Sequence, residues 1–357
     1  MKRHKNRRLR FLISGPGLIG RQHARILSAR RECEVVAIVA PDHEPNTAFA
    51  REIGARFFTT LDEALDRCPV EGAVISSPNA FHYEQASLCV ERGVPTLLEK
   101  PMTDDIGSAA RFVETCAGAK TPVLVGHHRT YSPLLPVARD FLRSDRFGRL
   151  VTVQGSAQFY KPREYFEDGP WRMQEGGGPI LINLIHEIGL IRYLCGEFEA
   201  VSVIAGNNLR GFKVEDTVAI AFALANGALG TFILSDTAAS QKSWEMTSKE
   251  NPAYPHFPAD DCYHFAGDHG SLDFPTMRTR SYVGADHESW WSPFQSDQLA
   301  VTRSDPLEAE ISHFVAVIKG AETPRVSPQD GYANMLVLEA IKRSISTSAL
   351  VRVSSVR

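Results

Sequence analysis

The chain has 357 residues, more than one hydrophobic core usually supports, so two domains are the default expectation. A hydrophobic fraction of 43%, a charged fraction of 23% and a net charge of −3 describe an ordinary globular protein without the basic excess that a phosphate backbone demands, which argues against nucleic acid as a partner. No stretch approaches ~18 uninterrupted apolar residues, so no membrane partner or span is expected.

The start, Met1 to Arg10, is basic and carries an arginine pair, but the apolar run behind it, Phe11-Leu12-Ile13-Ser14, leads straight into a glycine-rich turn. It reads as a frayed tail ahead of a first strand rather than a twin-arginine signal. Cys33, Cys68, Cys89, Cys116, Cys195 and Cys262 form no CxxC pair and have no histidine at ligand spacing. Neither a zinc site nor a disulfide framework is expected, no metal is assigned, and reduced, mostly buried thiols agree with a cytoplasmic location.

From Phe11 to Gly126 short β-rich apolar runs alternate with helical stretches, the pattern of βαβ units and a parallel sheet. Strands are placed at Phe11–Ser14, Val35–Val39, Gly72–Ser76, Thr96–Leu98 and Val123–Val125, with helices such as Gln22–Arg30 and Ser108–Ala117 between them. Gly15-Pro16-Gly17-Leu18-Ile19-Gly20 is a GxGxxG directly after a strand and before a helix, the context that makes this motif informative. The first glycine permits a tight turn, the second admits a pyrophosphate to the backbone, and the third brings helix and strand together, while the helix start offers amides to the phosphate. The first domain is therefore expected to be a doubly wound Rossmann sheet over 1–126.

About 20 residues on, where a carboxylate would grip the adenosine ribose of NAD, the second strand ends Val39-Ala40-Pro41-Asp42. Ala40 stands at the usual acid position. Either Asp42 reaches the ribose from two residues further, or the missing carboxylate makes room for the 2′-phosphate of NADP, although no arginine stands beside it. The cofactor is NAD or NADP.

After Arg129 come a helix near Leu135–Leu142 and longer alternating runs, Leu150–Phe159, Val201–Ala205, Val218–Ala225 and Ala228–Ser235. They predict a C-terminal α+β domain over 127–357 with a large, mostly antiparallel sheet that has one packed and one open face. Ser240–Asp261 reads as a long ordered loop, and helices over Pro306–Lys319 and Gly331–Thr347 close the chain. An apolar face without helices from the same chain predicts a homodimer or homotetramer. Trp290 and Trp291 are assigned to packing or to a subunit contact.

The glycine turn, the segment Ser76-Ser77-Pro78-Asn79-Ala80-Phe81-His82 and above all Glu99-Lys100-Pro101 match, in order and spacing, the Gfo/Idh/MocA family of sugar and polyol dehydrogenases, which the chain resembles over nearly its whole length. Taken alone, a Glu-Lys pair after a strand is more often a surface salt bridge. The resemblance implies a cofactor held by Gly15, Gly17, Leu18, Ile19, Gly20, Ala40, Asp42, Ser77, Pro78, Asn79, His82, Glu99, Lys100 and His128. It places Lys100 beside the nicotinamide and the substrate hydroxyl, where an ammonium can stabilise a developing alkoxide.

In the second domain a glycine turn, Gly176-Gly177-Gly178, leads into an apolar helix that runs to Gly196. In the family this helix presents an aspartate and, four residues later, the histidine that acts as general acid/base. His186 fits the histidine. Ile182 occupies the aspartate's place, and Asn183, three residues before His186, lies on the same side but cannot carry a proton away as a carboxylate can. Catalysis is thus assigned to Lys100, His186 and Asn183, and a polyhydroxylated substrate to Lys100, His127, Arg129, Tyr131, Tyr160, Arg172, Asn183 and His186.

The reaction so implied is hydride transfer between a nicotinamide and a carbinol carbon of a sugar, inositol or related polyol. The rival is a lyase or glycoside hydrolase that keeps its NAD bound and acts by transient oxidation and elimination. A nucleotide-sensing regulator ranks last, because it needs neither Lys100 nor His186.

Overall fold

The computed structural model describes residues 7–282 and 288–356; most of the basic tail, residues 1–6, lies outside them. The chain divides into two compact units, one running to His128 and including Leu307–Met335, the other comprising Arg129–Pro306 and Leu336 onward.

The first unit holds six strands, β1 (Leu9–Ser14), β2 (Cys33–Val39), β3 (Arg56–Phe58), β4 (Gly72–Ile75), β5 (Thr96–Glu99) and β6 (Val123–Gly126). They form one sheet in the order β3-β2-β1-β4-β5-β6 with every pair parallel. The order reverses between β1 and β4, the point where open α/β sheets bind ligands beyond the strands' carboxyl ends. Helices α1 (Leu18–Ala29), α2 (Glu44–Glu52), α3 (Leu61–Arg67), α4 (His82–Glu91) and α5 (Ile106–Ala117) connect the strands. The buried side of α1 is Gly20, His23, Ala24 and Leu27, a helical stripe one turn wide. Thr60 and Asp105 cap α3 and α5 through the Glu63 and Ser108 amides. β3 was not expected from the sequence, since three residues at a sheet edge show no alternation.

Pro306–Ile318 (α10) belongs to this unit and not, as the boundary at 127–357 had it, to the second. Ile311, Phe314 and Val315 enter the core formed by Phe11, Ile13, Val74, Leu97 and Leu124, with the Phe314 and Phe11 rings 6.1 Å apart. A Cβ on Gly72 would come within 2.7 Å of both Phe11 and Ile318, so a side chain there would force one of them to shift.

The second unit is a nine-stranded sheet built from β7 (Leu150–Gln158), β8 (Phe198–Gly206), β9 (Thr217–Leu224), β10 (Leu229–Ser235), β11 (Tyr263–Gly267), β12 (Gly270–Phe274), β13 (Arg278–Tyr282), β14 (Phe294–Gln298) and β15 (Val351–Arg352). Its order is β14-β13-β12-β11-β7-β10-β9-β8-β15, antiparallel throughout except for β7 against β10. Its helices are α6 (Leu134–Leu142), α7 (Arg163–Glu167), α8 (Ile185–Cys195), the single turn α9 (Trp244–Thr247) and the later part of α11 (Pro328–Thr347). Along β9, Val218, Ile220, Phe222 and Leu224 are buried, while Ala219, Ala221 and Ala223 lie on the opposite, more open face with Ile204 and Leu229 of the neighbouring strands. Trp290 and Trp291 are 87% and 85% exposed, so packing within the chain does not account for them.

Candidate active site

At the end of β1 the backbone turns at Gly15 with φ of +82°, a conformation that favours glycine, and a Cβ there would lie 2.4 Å from the Ser77 amide nitrogen. Gly20 is equally constrained, its added Cβ falling 2.2 Å from the Gly15 carbonyl. Gly17 differs, for a Cβ there would meet nothing within 4 Å and the residue is exposed. Gly17 is also the N-cap of α1, with no side-chain cap and no acidic residue in the first turn. A helix start without a side-chain cap, beside an open glycine, suits a pyrophosphate.

Ala40 at the end of β2 is buried and pairs its amide with the Phe58 carbonyl, while Asp42 is exposed. The Arg21 guanidinium donates to the Pro16 carbonyl at 2.9 Å and the Pro45 carbonyl at 2.8 Å, tying the glycine turn to the start of α2.

Lys100 follows β5, half-buried, on a buried foundation. Glu99 accepts from the Lys100 amide at 3.1 Å, and its other oxygen lies 2.7 Å from Nε2 of His23. Burial pushes the Glu99 carboxyl up, but the His23 hydrogen bond and the charges of His23, Lys100 and His128 outweigh it and hold it below its usual range. Glu310 of α10 faces the same pair with both carboxyl oxygens buried and unpartnered among the described residues. Burial, and then the charge on Glu99, push its carboxyl far up.

His82, expected at the cofactor, is buried instead, with Nδ1 2.8 Å from the Pro101 carbonyl and Nε2 2.9 Å from that of Ser77. Burial lowers its pKa against the pull of those two carbonyls. Its ring clamps the segment after β4 to the one carrying Lys100. Glu99 is likewise a support beneath Lys100 rather than an exposed cofactor contact. His127, expected at the substrate, is buried against the Asn334 side chain at 3.2 Å.

In the second unit the chain enters α8 through a π-helical segment, Ile180–Leu184, an irregularity frequent at functional sites. The Ile180 amide donates to Glu215 at 2.8 Å. Asn183 lies in this segment and accepts a 2.7 Å hydrogen bond from Lys161 Nζ. Lys161 is itself buried, with Asp236 at 3.8 Å and the rings of Phe159 and Tyr165 within 5.7 Å. Arg210 holds the other oxygen of Asp236 at 2.9 Å. His186 is buried one turn after Asn183.

Glu187 begins a second network. Arg129 bridges Glu187 and Glu245 at 2.5 Å each, and the Tyr263 hydroxyl donates to Glu187. Burial raises Glu187 against the pull of Arg129. Arg129, read from sequence as a substrate ligand, is therefore spent on the carboxylates of Glu187 in α8 and Glu245 in α9, and Tyr131 is buried too. Tyr160 is 61% exposed under the Arg210 guanidinium, and Arg172 stacks on Tyr165 with 3.9 Å to the ring centre. His23 was missed, and Lys161 was noted only within the segment Tyr160-Lys161-Pro162. His23 carried a signal, a polar residue in the apolar stripe of α1; Lys161 carried only adjacency to Tyr160.

Two family models match, described as an oxidoreductase family with an NAD-binding Rossmann fold over residues 9–127 and a GFO/IDH/MocA C-terminal domain over residues 137–273. An inositol 2-dehydrogenase from Rhizobium meliloti (strain 1021) is 23% identical over 349 residues, 97% of this chain and 99% of the relative. A 1,5-anhydro-D-fructose reductase from Ensifer adhaerens is 23% identical over 334 residues, 90% of this chain and 92% of the relative. Among solved structures, a levoglucosan dehydrogenase in complex with NADH and levoglucosan aligns with a TM-score of 0.77 at 19% identity, covering 97% of this chain and 100% of that one. The chain belongs to the Gfo/Idh/MocA family of oxidoreductases, with an NAD-binding Rossmann domain at its start.

Proposed function

We propose that this protein is an NAD(P)-dependent dehydrogenase acting on a carbinol carbon of a sugar, inositol or related polyol. The observation that carries the reading is the carboxyl edge of the first sheet. The open Gly17 and the uncapped start of α1 connect, through Ser77 and His82, to the segment on which Lys100 stands. The relatives named for inositol and anhydrofructose, and the neighbour solved with levoglucosan, support this substrate class.

When bound, the nicotinamide supplies the hydride acceptor or donor. The protein's part is to hold and to move a proton. The glycine turn and the first amides of α1 take the pyrophosphate. The Lys100 ammonium steadies the substrate oxygen as negative charge grows on it, and the His186 imidazole accepts the hydroxyl proton. Asn183 orients the substrate by hydrogen bonding. At the ribose end, Ala40 leaves no carboxylate at the usual acid position, and the cofactor is NAD or NADP. We further infer a homo-oligomer joined through the sheet face that carries Ala219, Ala221, Ala223, Ile204 and Leu229, and a cytoplasmic location, supported by six free thiols.

The test is a screen of NAD and NADP against polyols, sugars and sugar acids, read at the reduced-nicotinamide absorbance band. Reduction with at least one member is expected; no reduction of either cofactor across the panel contradicts the reading.

A further inference from the structure

An asparagine side chain offers a donor and an acceptor, and which end faces a ligand is usually open. At Asn183 it is settled by chemistry. The group facing it is the Lys161 ammonium, which can only donate, so Oδ1 must point inward to Nζ at 2.7 Å. Lys161 is held in turn by Asp236 and by the rings of Phe159 and Tyr165, in a surround that also contains Arg210, Asp216 and Glu215. The Asn183 amide NH2 is then left on the other side of the carboxamide. Asn183 is half-buried, and among the described residues no protein acceptor takes Nδ2. Asn183 stands three residues before His186, in the π-helical segment that leads into α8.

We infer that Lys161 is a positioning residue that fixes Asn183 as a hydrogen-bond donor toward the substrate, so that the site recognises an accepting oxygen near the reacting carbon. The chemical class that offers such an oxygen is a cyclic sugar or polyol with a hydroxyl beside the reacting carbon. A hydroxyl there binds as an acceptor, and its proton must find a partner elsewhere, at a cost. The inference rests on the reading of His186 as the acid/base of this helix.

The experiment uses the substrate that the cofactor screen identifies, with its deoxy and deoxyfluoro analogues at each carbon; fluorine keeps a weak acceptor and removes the donor. In the wild type, one position is expected where the deoxyfluoro analogue exceeds the deoxy analogue about tenfold in kcat/KM. Lys161→Met frees the carboxamide to turn, and the ratio falls toward one through KM, with kcat little changed. Lys161→Arg, again a pure donor, restores the ratio, and Asn183→Asp, which presents an acceptor, inverts it. A wild-type ratio retained in both Lys161→Met and Asn183→Asp overturns the inference, as does a wild type in which no position distinguishes the two analogues. If His186→Ala keeps near-normal turnover, or the screen finds no substrate, the underlying reading has failed and the inference falls with it.

Discussion

The imidazole of His23, on the buried side of α1, meets the carboxylate of Glu99, at the end of β5, at 2.7 Å with both side chains withdrawn from solvent. The pair joins the helix that starts at the glycine turn to the strand that carries Lys100, so the glycine turn and Lys100 share one buried support. Removing His23 leaves an ionised carboxylate without its main partner. His23→Ala is expected to lower unfolding free energy by about 3 kcal/mol and to weaken cofactor binding, both measurable by denaturant titration with and without NAD. An unchanged midpoint would show that the pair is incidental.

Gly17→Asp should abolish dinucleotide binding while leaving the fold intact. A Cβ there meets nothing in the protein, so the only thing the new carboxylate can offend is the phosphate. Titration with NAD should show affinity reduced by at least about a hundredfold, and unchanged affinity would refute the pyrophosphate assignment.

At the ribose end, Ala40→Asp should raise the ratio of NAD to NADP affinity by about tenfold or more, by adding an acceptor for ribose hydroxyls and repelling a 2′-phosphate. Cofactor titrations decide it. A ratio that does not move means Asp42 already grips the ribose.

Glu250 supplies a pH signature. Its oxygens accept from Ser132 Oγ and from Trp244 Nε1, yet burial pushes its carboxyl up to about 7. The folded state therefore binds a proton that the unfolded state releases near the ordinary carboxylate range, and stability falls as pH rises through that interval to about 7. The loss is at most about 3 kcal/mol. Glu250→Gln should flatten this part of the stability profile and gain on the wild type above pH 7, as followed by thermal unfolding across pH. Parallel curves for the two proteins would contradict the assignment.

The strands of the first sheet were legible because buried parallel strands are short apolar runs, and the glycine spacing fixed where the first of them turns. β3 and β11 to β14 were not, because they are three to five residues long, too short to show a clear period, and β13 and β14 are rich in Ser, Arg and Gln. The placement of α10 in the first unit escaped as well, since chain order says nothing about which core Phe314 enters. Lys100, Asn183 and His186 were singled out from motif and spacing. His82, Glu99, His127 and Arg129 were legible as important, but sequence could not tell a side chain that reaches a ligand from one buried behind it.

The proton role of His186 has a direct kinetic consequence. His186→Ala should cut turnover by about 10² to 10⁴ while cofactor affinity changes little, the range general acid/base catalysis contributes. Near-normal turnover would mean the histidine is structural.

The central claim, hydride transfer between substrate carbon and nicotinamide, is tested most directly by isotope tracing. The substrate found in the screen is prepared with deuterium on its carbinol carbon, incubated with the enzyme and oxidised cofactor in ordinary water, and the reduced cofactor is examined by mass spectrometry and proton NMR. One deuterium at C4 of the nicotinamide is the predicted result. A product formed with no net cofactor reduction, or a reduced cofactor carrying only solvent hydrogen, would contradict it.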